Sequence, residues 1–132
     1  GKAKYRDAIM AYVKQIAGWD QWSWIAWRRG DKGANTIFDL SCGENSTTLA
    51  LIYDVLHDTL SKTERKLLIT TARQRSINLF IRQVTTGKEK PFWYRNKGSN
   101  WATVCGGGAV GTCWSSSCQP TRRSSFHSHL FE

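Results

Sequence analysis

The sequence predicts an all-α fold built from helical hairpins. Three observations carry that prediction: apolar residues recur at helical spacing, helix-start signals precede them, and no stretch alternates apolar and polar residues as a half-buried strand would. Residues 4–17 place Tyr5, Ala8, Ile9, Tyr12, Val13 and Ile16 on one stripe, with Lys4, Arg6, Asp7 and Lys14 mostly opposite, and Gly18 ends the helix. Residues 19–43 lose that period. Aromatic residues crowd their start, Arg28-Arg29-Gly30-Asp31-Lys32-Gly33 is basic and turn-rich, and Phe38-Asp39-Leu40 is a short apolar return. A long connection with a short helix over 22–27 is expected. Leu49, Ile52, Tyr53 and Leu56 form the next stripe, with Asn45, Ser46 and Thr47 as candidate N-caps and an end near Leu60.

Ser61-Lys62-Thr63-Glu64 has the form of a capping box, in which the Ser hydroxyl accepts an orphan amide hydrogen and the Glu side chain reaches back to the cap. A third helix continues from it through Leu67, Leu68, Thr71, Ala72, Arg75, Leu79 and Ile81, until Thr85-Thr86-Gly87-Lys88 and Pro91 break it. So short a join to the helix before it makes the two an αα-hairpin. The loop Asn96-Lys97-Gly98-Ser99-Asn100 leads into a fourth helix over 101–114, with Asn100 as its cap. Each of its glycines, at 106, 107, 108 and 111, costs about 1 kcal/mol relative to Ala. That density predicts very close approach of another helix or a ligand. Residues 115–132 are rich in Ser and read as an irregular tail, which leaves 1–114 as the folded part.

The chain of 132 residues carries 19 Lys and Arg against 10 Asp and Glu, a net charge of +9 that favours polyanionic partners: nucleic acid, an anionic lipid surface or an acidic polysaccharide. No apolar run approaches the roughly 20 residues of a membrane span, so no membrane partner is expected. Neither an initiator Met nor a signal-peptide stretch opens the sequence, and any targeting segment is expected to have been removed or to lie upstream. Seven Trp are available either for the core, where each indole N–H needs an acceptor, or as flat platforms on which sugars or bases stack. Cys42, Cys105, Cys113, Cys118, His127 and His129 have no CxxC or HxxxH spacing, so no metal is expected. The glycines at 106–108 lack a following Lys-Ser/Thr and imply no nucleotide cofactor; no cofactor of any kind is expected. Tyr53 reads as a core residue and His57 as a surface one.

Several segments in order resemble a known family. These are Phe38-Asp39-Leu40-Ser41-Cys42-Gly43-Glu44, then Leu49-Ala50-Leu51-Ile52-Tyr53-Asp54-Val55-Leu56-His57-Asp58-Thr59-Leu60-Ser61 with Glu64-Arg65, and Ser99-Asn100-Trp101-Ala102-Thr103-Val104-Cys105-Gly106-Gly107-Gly108. Over about residues 5 to 112 they resemble the N-terminal α/α-toroid domain of heparinase II/III-like polysaccharide lyases, a family related to oligoalginate lyases and dermatan-sulfate epimerases. The resemblance implies that residues 1–114 form part of an incomplete toroid of αα-hairpins, a fragment of a longer enzyme. The tail does not resemble the family continuation.

The resemblance also implies a chemistry, cleavage of uronic-acid polysaccharides by β-elimination, a carbon–oxygen lyase reaction. The proton next to the carboxylate is weakly acidic, so donors that stabilise the enolate-like intermediate carry the main electrostatic task. Asn100 matches the position that would donate to that carboxylate; a plain helix N-cap is the alternative reading, and one Asn can do both. The family's catalytic Tyr and further His lie downstream of this motif, and the family has Asn where this chain has Ala102 and Asn or His at Gly106. A fragment that is not catalytically complete is therefore expected.

Trp22, Trp24, Trp27, Trp93 and Trp101 are candidates for stacking on pyranose rings, Tyr94 for lining the cleft, and Arg28, Arg29, Arg95 and Lys97 for pairing with carboxylates or sulfates. Core packing is the alternative for the Trp, and a solvated surface for the Arg and Lys. The expected partner is an anionic polysaccharide of glycosaminoglycan or alginate type, and a secreted or periplasmic home for the parent protein follows from that substrate class. Two other readings stand beside this one. A basic helical nucleic-acid-binding module would gather its Lys and Arg in a stripe or arm, whereas here they are scattered over every segment. A non-catalytic carbohydrate-binding remnant would differ from the lyase only in lacking the base.

Overall fold

The computed structural model describes residues 2–31, 37–86, 92–94, 96 and 98–117. Among them every regular element is helical and none is a strand. Helix α1 (Lys2–Ala17) is followed by the short α2 (Trp24–Arg29) and by α3 (Leu40–Leu56), which closes in a 3-10 turn at His57–Thr59. Helix α4 (Lys62–Ala72) passes through a π-helical turn (Arg73–Ile77) into α5 (Asn78–Thr86). A 3-10 turn at Phe92–Tyr94 and α6 (Asn100–Ser117) complete the set. The fold is all-α.

Two anchor points show how α1 lies on α4. Arg6 pairs with Glu64 at 2.6 Å and donates to the Thr59 carbonyl at 3.1 Å. Arg75 donates to the carbonyls of Ala17 and Trp19, at 3.1 and 2.6 Å. Both partners advance together along the chain, so α1 and α4 run parallel. The same holds for α3 and α6: Gly43 meets Val104, Cys105 and Gly108, while the Ser46 carbonyl accepts from Thr112 Oγ1 at 2.9 Å. Among the described residues the helices thus form two layers, α1 beside α4 and α3 beside α6. The α3–α4 hairpin joins them in opposite directions.

The core between the layers holds Met10, Val13 and Ile16 of α1, Leu49 of α3, Leu68 and Ala72 of α4, and Cys105 and Ala109 of α6. This corrects the expected face of α1. Tyr5, Ala8 and Tyr12 are exposed, Tyr5 at 73%. Arg6 takes the inner side instead, because its guanidinium has Glu64 and the Thr59 carbonyl to satisfy it there.

The start of α3 is a second correction. It begins at Leu40, well before the expected caps Asn45, Ser46 and Thr47, because Asp39 caps it by accepting from the Cys42 amide at 3.4 Å. The intervening Ser, Gly and Thr read as a loop by propensity, yet the hydroxyls of Ser46, Thr47 and Thr48 bond back to the carbonyls of Cys42, Gly43 and Glu44. The small residues serve the crossing with α6. A Cβ on Gly108 would lie 2.8 Å from the Gly43 carbonyl carbon, and one on Gly43 only 2.7 Å from the Val104 oxygen. The close approach expected of the α6 glycines is real at Gly108 alone; Gly106, Gly107 and Gly111 face open space.

Other elements follow the sequence more closely. Glu64 accepts from the Ser61 amide at 2.8 Å, and Ser61 Oγ accepts from the Glu64 amide at 3.2 Å, so the capping box forms as read. The short helix sits two residues later than expected, capped by Ser23, and stops at Gly30 in a left-handed conformation (φ 68°). There the Gly30 and Asp31 amides return to the Trp27 and Ala26 carbonyls, a Schellman ending. At α6 the capping expected of Asn100 passes to Ser99, whose hydroxyl accepts the Trp101 amide at 3.2 Å. That helix runs to Ser117, past the expected boundary at 114, and the rest of the serine-rich tail lies outside the described residues.

Candidate functional site

Because α3 and α6 run parallel, their amino ends lie at the same end of the molecule, and α2 is fastened there by one buried carboxylate. Asp39 is fully enclosed. Its Oδ2 accepts from the Ser23 hydroxyl at 2.8 Å and from the Ile25 amide at 3.0 Å, while its Oδ1 caps α3. Ser23 in turn accepts from the Ala26 amide. One side chain therefore satisfies the first turns of two helices, and each hydrogen bond to a charged acceptor contributes about 1.5–3 kcal/mol. At the other end of α2, Gln21 Nε2 donates to the Asp31 carbonyl at 2.7 Å.

Held this way, α2 turns Trp24 onto Trp101 in the first turn of α6. The rings meet edge to face, centroids 5.8 Å apart and planes at 62°. One turn along α2, the Arg28 guanidinium lies over the Trp24 ring, 4.7 Å from its centroid. Trp24 and Trp101 are half-buried, and Arg28 is exposed. Trp27 is 71% exposed on the same short helix, and the exposed Asn100 opens α6 next to Trp101. Of the residues singled out in the sequence, Trp24, Trp27, Arg28, Arg29, Asn100 and Trp101 thus fall on α2 and the amino end of α6, with Arg29 exposed as the last residue of α2.

The others do not join them as read. Trp93 is 2% exposed: its indole N–H donates to the Phe38 carbonyl at 3.0 Å and its ring stacks on Phe80, so it has no face for a sugar. Trp22 is 4% exposed and donates to the Ile16 carbonyl at 2.8 Å, closing the end of α1. For these two the packing alternative holds. Tyr94 is exposed, with its ring edge-on to Trp93 at 6.2 Å. Arg95 and Lys97 lie outside the described residues.

Tyr53 packs against the core and touches His57, ring centroids 5.4 Å apart. His57, expected at the surface, is half-buried: its ring meets Tyr53 on one side and the exposed Asp58 carboxylate at 3.0 Å. Both lie at the far end of α3, roughly 20 Å from its amino end at 1.5 Å per residue, too far to act with Asn100. Cys42 and Cys105 are buried at the α3–α6 crossing. Burial pushes both thiols up, Cys105 to about 12, so neither supplies a thiolate nucleophile. Among the described residues no cluster of His, Cys, Asp and Glu could hold a metal ion, and no helix is long and apolar enough to cross a membrane.

The sequence missed two parts of this arrangement. Asp39 stood in a recognised segment, but nothing local shows that its carboxylate also serves Ser23 and Ile25, because that depends on α2 folding back. The Trp24–Arg28 pair did have a signal, an aromatic and a cation four apart on one short helix. In comparisons with known proteins, no family model, no curated protein and no solved structure matches the chain significantly.

Proposed function

We propose that this chain is the carbohydrate-binding scaffold of a polysaccharide lyase acting on uronic-acid polymers, a fragment without the complete set of catalytic groups. The observation that carries the reading is the Trp24–Trp101 pair with Arg28 above it and Trp27 exposed beside it. Indole faces suit the C–H faces of pyranose rings, and a guanidinium suits a uronate carboxylate. The sequence resemblance supports the same reading, as its motifs fall on α3 and on the first turns of α6. So does the topology: αα-hairpins set side by side into a toroid place each first helix parallel to the next, as α3 and α6 are.

In a β-elimination at this surface Asn100 donates to the substrate carboxylate, the amino end of α6 adds its dipole, and the aromatic pair fixes the ring. A base to take the proton next to the carboxylate has to come from elsewhere. The substrate class places the parent protein outside the cytoplasm.

The test pairs binding with turnover on heparin, heparan, chondroitin, dermatan and alginate panels. Binding by calorimetry without a rise in the ultraviolet band of unsaturated uronates is the expected result. Trp27→Ala and Asn100→Ala should each weaken binding with the helical content unchanged. A rise with any polymer overturns the incompleteness. Failure to bind all of them, with tight binding to single-stranded DNA, replaces the reading with a nucleic-acid module.

A further inference from the structure

Arg28 occupies a place that a stacking sugar would need. Its guanidinium lies over Trp24, 4.7 Å from the ring centroid, and Trp101 packs against the same ring with its plane at 62°. The two residues are four apart on a helix of only six residues, and the ends of that helix are pinned by Ser23 and by Gly30. The backbone therefore holds Arg28 within reach of the ring, and only its long side chain can move aside. A guanidinium on an indole face at an exposed site is held weakly, whereas a carboxylate offers it a bidentate, charge-assisted pair.

We propose that Arg28 is a charge-gated cover on Trp24 and the residue that sets specificity at this surface. A sugar bearing a carboxylate draws the guanidinium off the ring, pairs with it and stacks on the face it leaves. A neutral sugar meets the same face still covered and has nothing to offer Arg28 in exchange. The gate rests on the carbohydrate-binding reading above, and it adds discrimination between sugars of equal shape by charge alone.

The test uses a matched pair of probes, an unsulfated uronate tetrasaccharide and the same oligosaccharide with its carboxyl groups reduced to alcohols. Affinities are measured by calorimetry, and the indole N–H signals of Trp24 and Trp101 are followed by NMR, assigned with Trp24→Phe. The wild type should prefer the uronate. Arg28→Gln should weaken uronate binding about tenfold, through loss of the charge-assisted pair. It should strengthen binding of the neutral analogue about two- to fivefold, through removal of the cover. A change of opposite sign for two ligands of one shape is not what a merely structural role produces. Arg28 is exposed, so the variant should keep the wild-type helical content. Equal weakening of both probes, or no change in either, overturns the gate while leaving carbohydrate binding in place. If neither probe binds the wild-type protein, the underlying reading fails together with the gate.

Discussion

Replacing Gly108 with alanine drives a methyl group into the backbone of α3. The new carbon would sit 2.8 Å from the Gly43 carbonyl carbon and 2.9 Å from its Cα, where carbon atoms normally rest about 3.5–4.0 Å apart. Backbone faces it on the other helix, so no side chain can rotate away, and the helices have to part by about 0.7–1 Å. Overpacking of this kind costs about 2–3 kcal/mol. The parting also takes the Ser46 carbonyl, 2.9 Å away, out of reach of Thr112, whose single hydroxyl proton is shared with the Gly108 carbonyl at 2.8 Å and stays with it, a loss of at most about 1 kcal/mol. Alanine returns about 1 kcal/mol of helix propensity, so a net loss of about 1–3 kcal/mol is expected. Gly107 is the control one residue away: a Cβ there meets nothing within 4 Å, so Gly107→Ala should gain about 1 kcal/mol. Urea unfolding followed by far-ultraviolet circular dichroism reads both. Gly108→Ala as stable as the wild type, or Gly107→Ala losing as much as Gly108→Ala, would refute the close crossing.

Asp39→Ala should cost about 3–5 kcal/mol by urea midpoint, because the Ser23 hydroxyl and the Ile25 amide lose their shared acceptor; Asp39→Asn, which keeps one acceptor oxygen, should cost less. Glu64 is held below its ordinary carboxylate range, first by the Ser61 amide and hydroxyl and then by Arg6. Its folded value lies below its unfolded one, so its contribution is fully present above about pH 4.3 and is lost as pH falls through the folded value. Glu64→Gln should therefore show a shallower loss of stability than the wild type between pH 5 and pH 3, in about that window; parallel slopes would remove Glu64 from the acid transition. Cys42 and Cys105, buried and with both thiols pushed up, should resist a thiol reagent at neutral pH until the chain unfolds, and rapid labelling of either in the folded protein would contradict the packing at the crossing.

The parts of this fold that were legible in the sequence are those set by neighbours in the chain. The capping box at Ser61 and Glu64 is complete within four residues and forms as read. The α1 span and the short helix were visible through their periodicity and turn signals. What was not legible depends on distant partners. The first half of α3 looked like a loop because its Ser, Gly and Thr are poor helix formers; Asp39 caps it as helix, and at Gly43 the backbone of α6 lies too close for a larger residue. The inner face of α1 was misjudged at Tyr5 and Tyr12 because the salt bridge that turns Arg6 inward ends on a residue of α4. The candidate site divides the same way. The indoles of Trp22 and Trp93 were bound to find acceptors if buried, but which Trp would be buried was fixed by the Ile16 and Phe38 carbonyls, and no local spacing reveals those.

The parallel pairing of α3 with α6 makes this helical chain slow to commit. Most small helical proteins fold through contacts between neighbours in sequence, which form quickly. Here the tightest packing closes a loop of 66 residues between Ser46 and Thr112, and the chain entropy of that closure has to be lost before the crossing returns any contact. Until α6 has been synthesised, Gly43 and Ser46 of α3 lack the partners they meet in the folded chain, Val104, Cys105, Gly108 and Thr112. The nascent chain therefore leaves the ribosome with its most closely fitted surface bare, and it is in that interval that a chaperone or a protease has its opening.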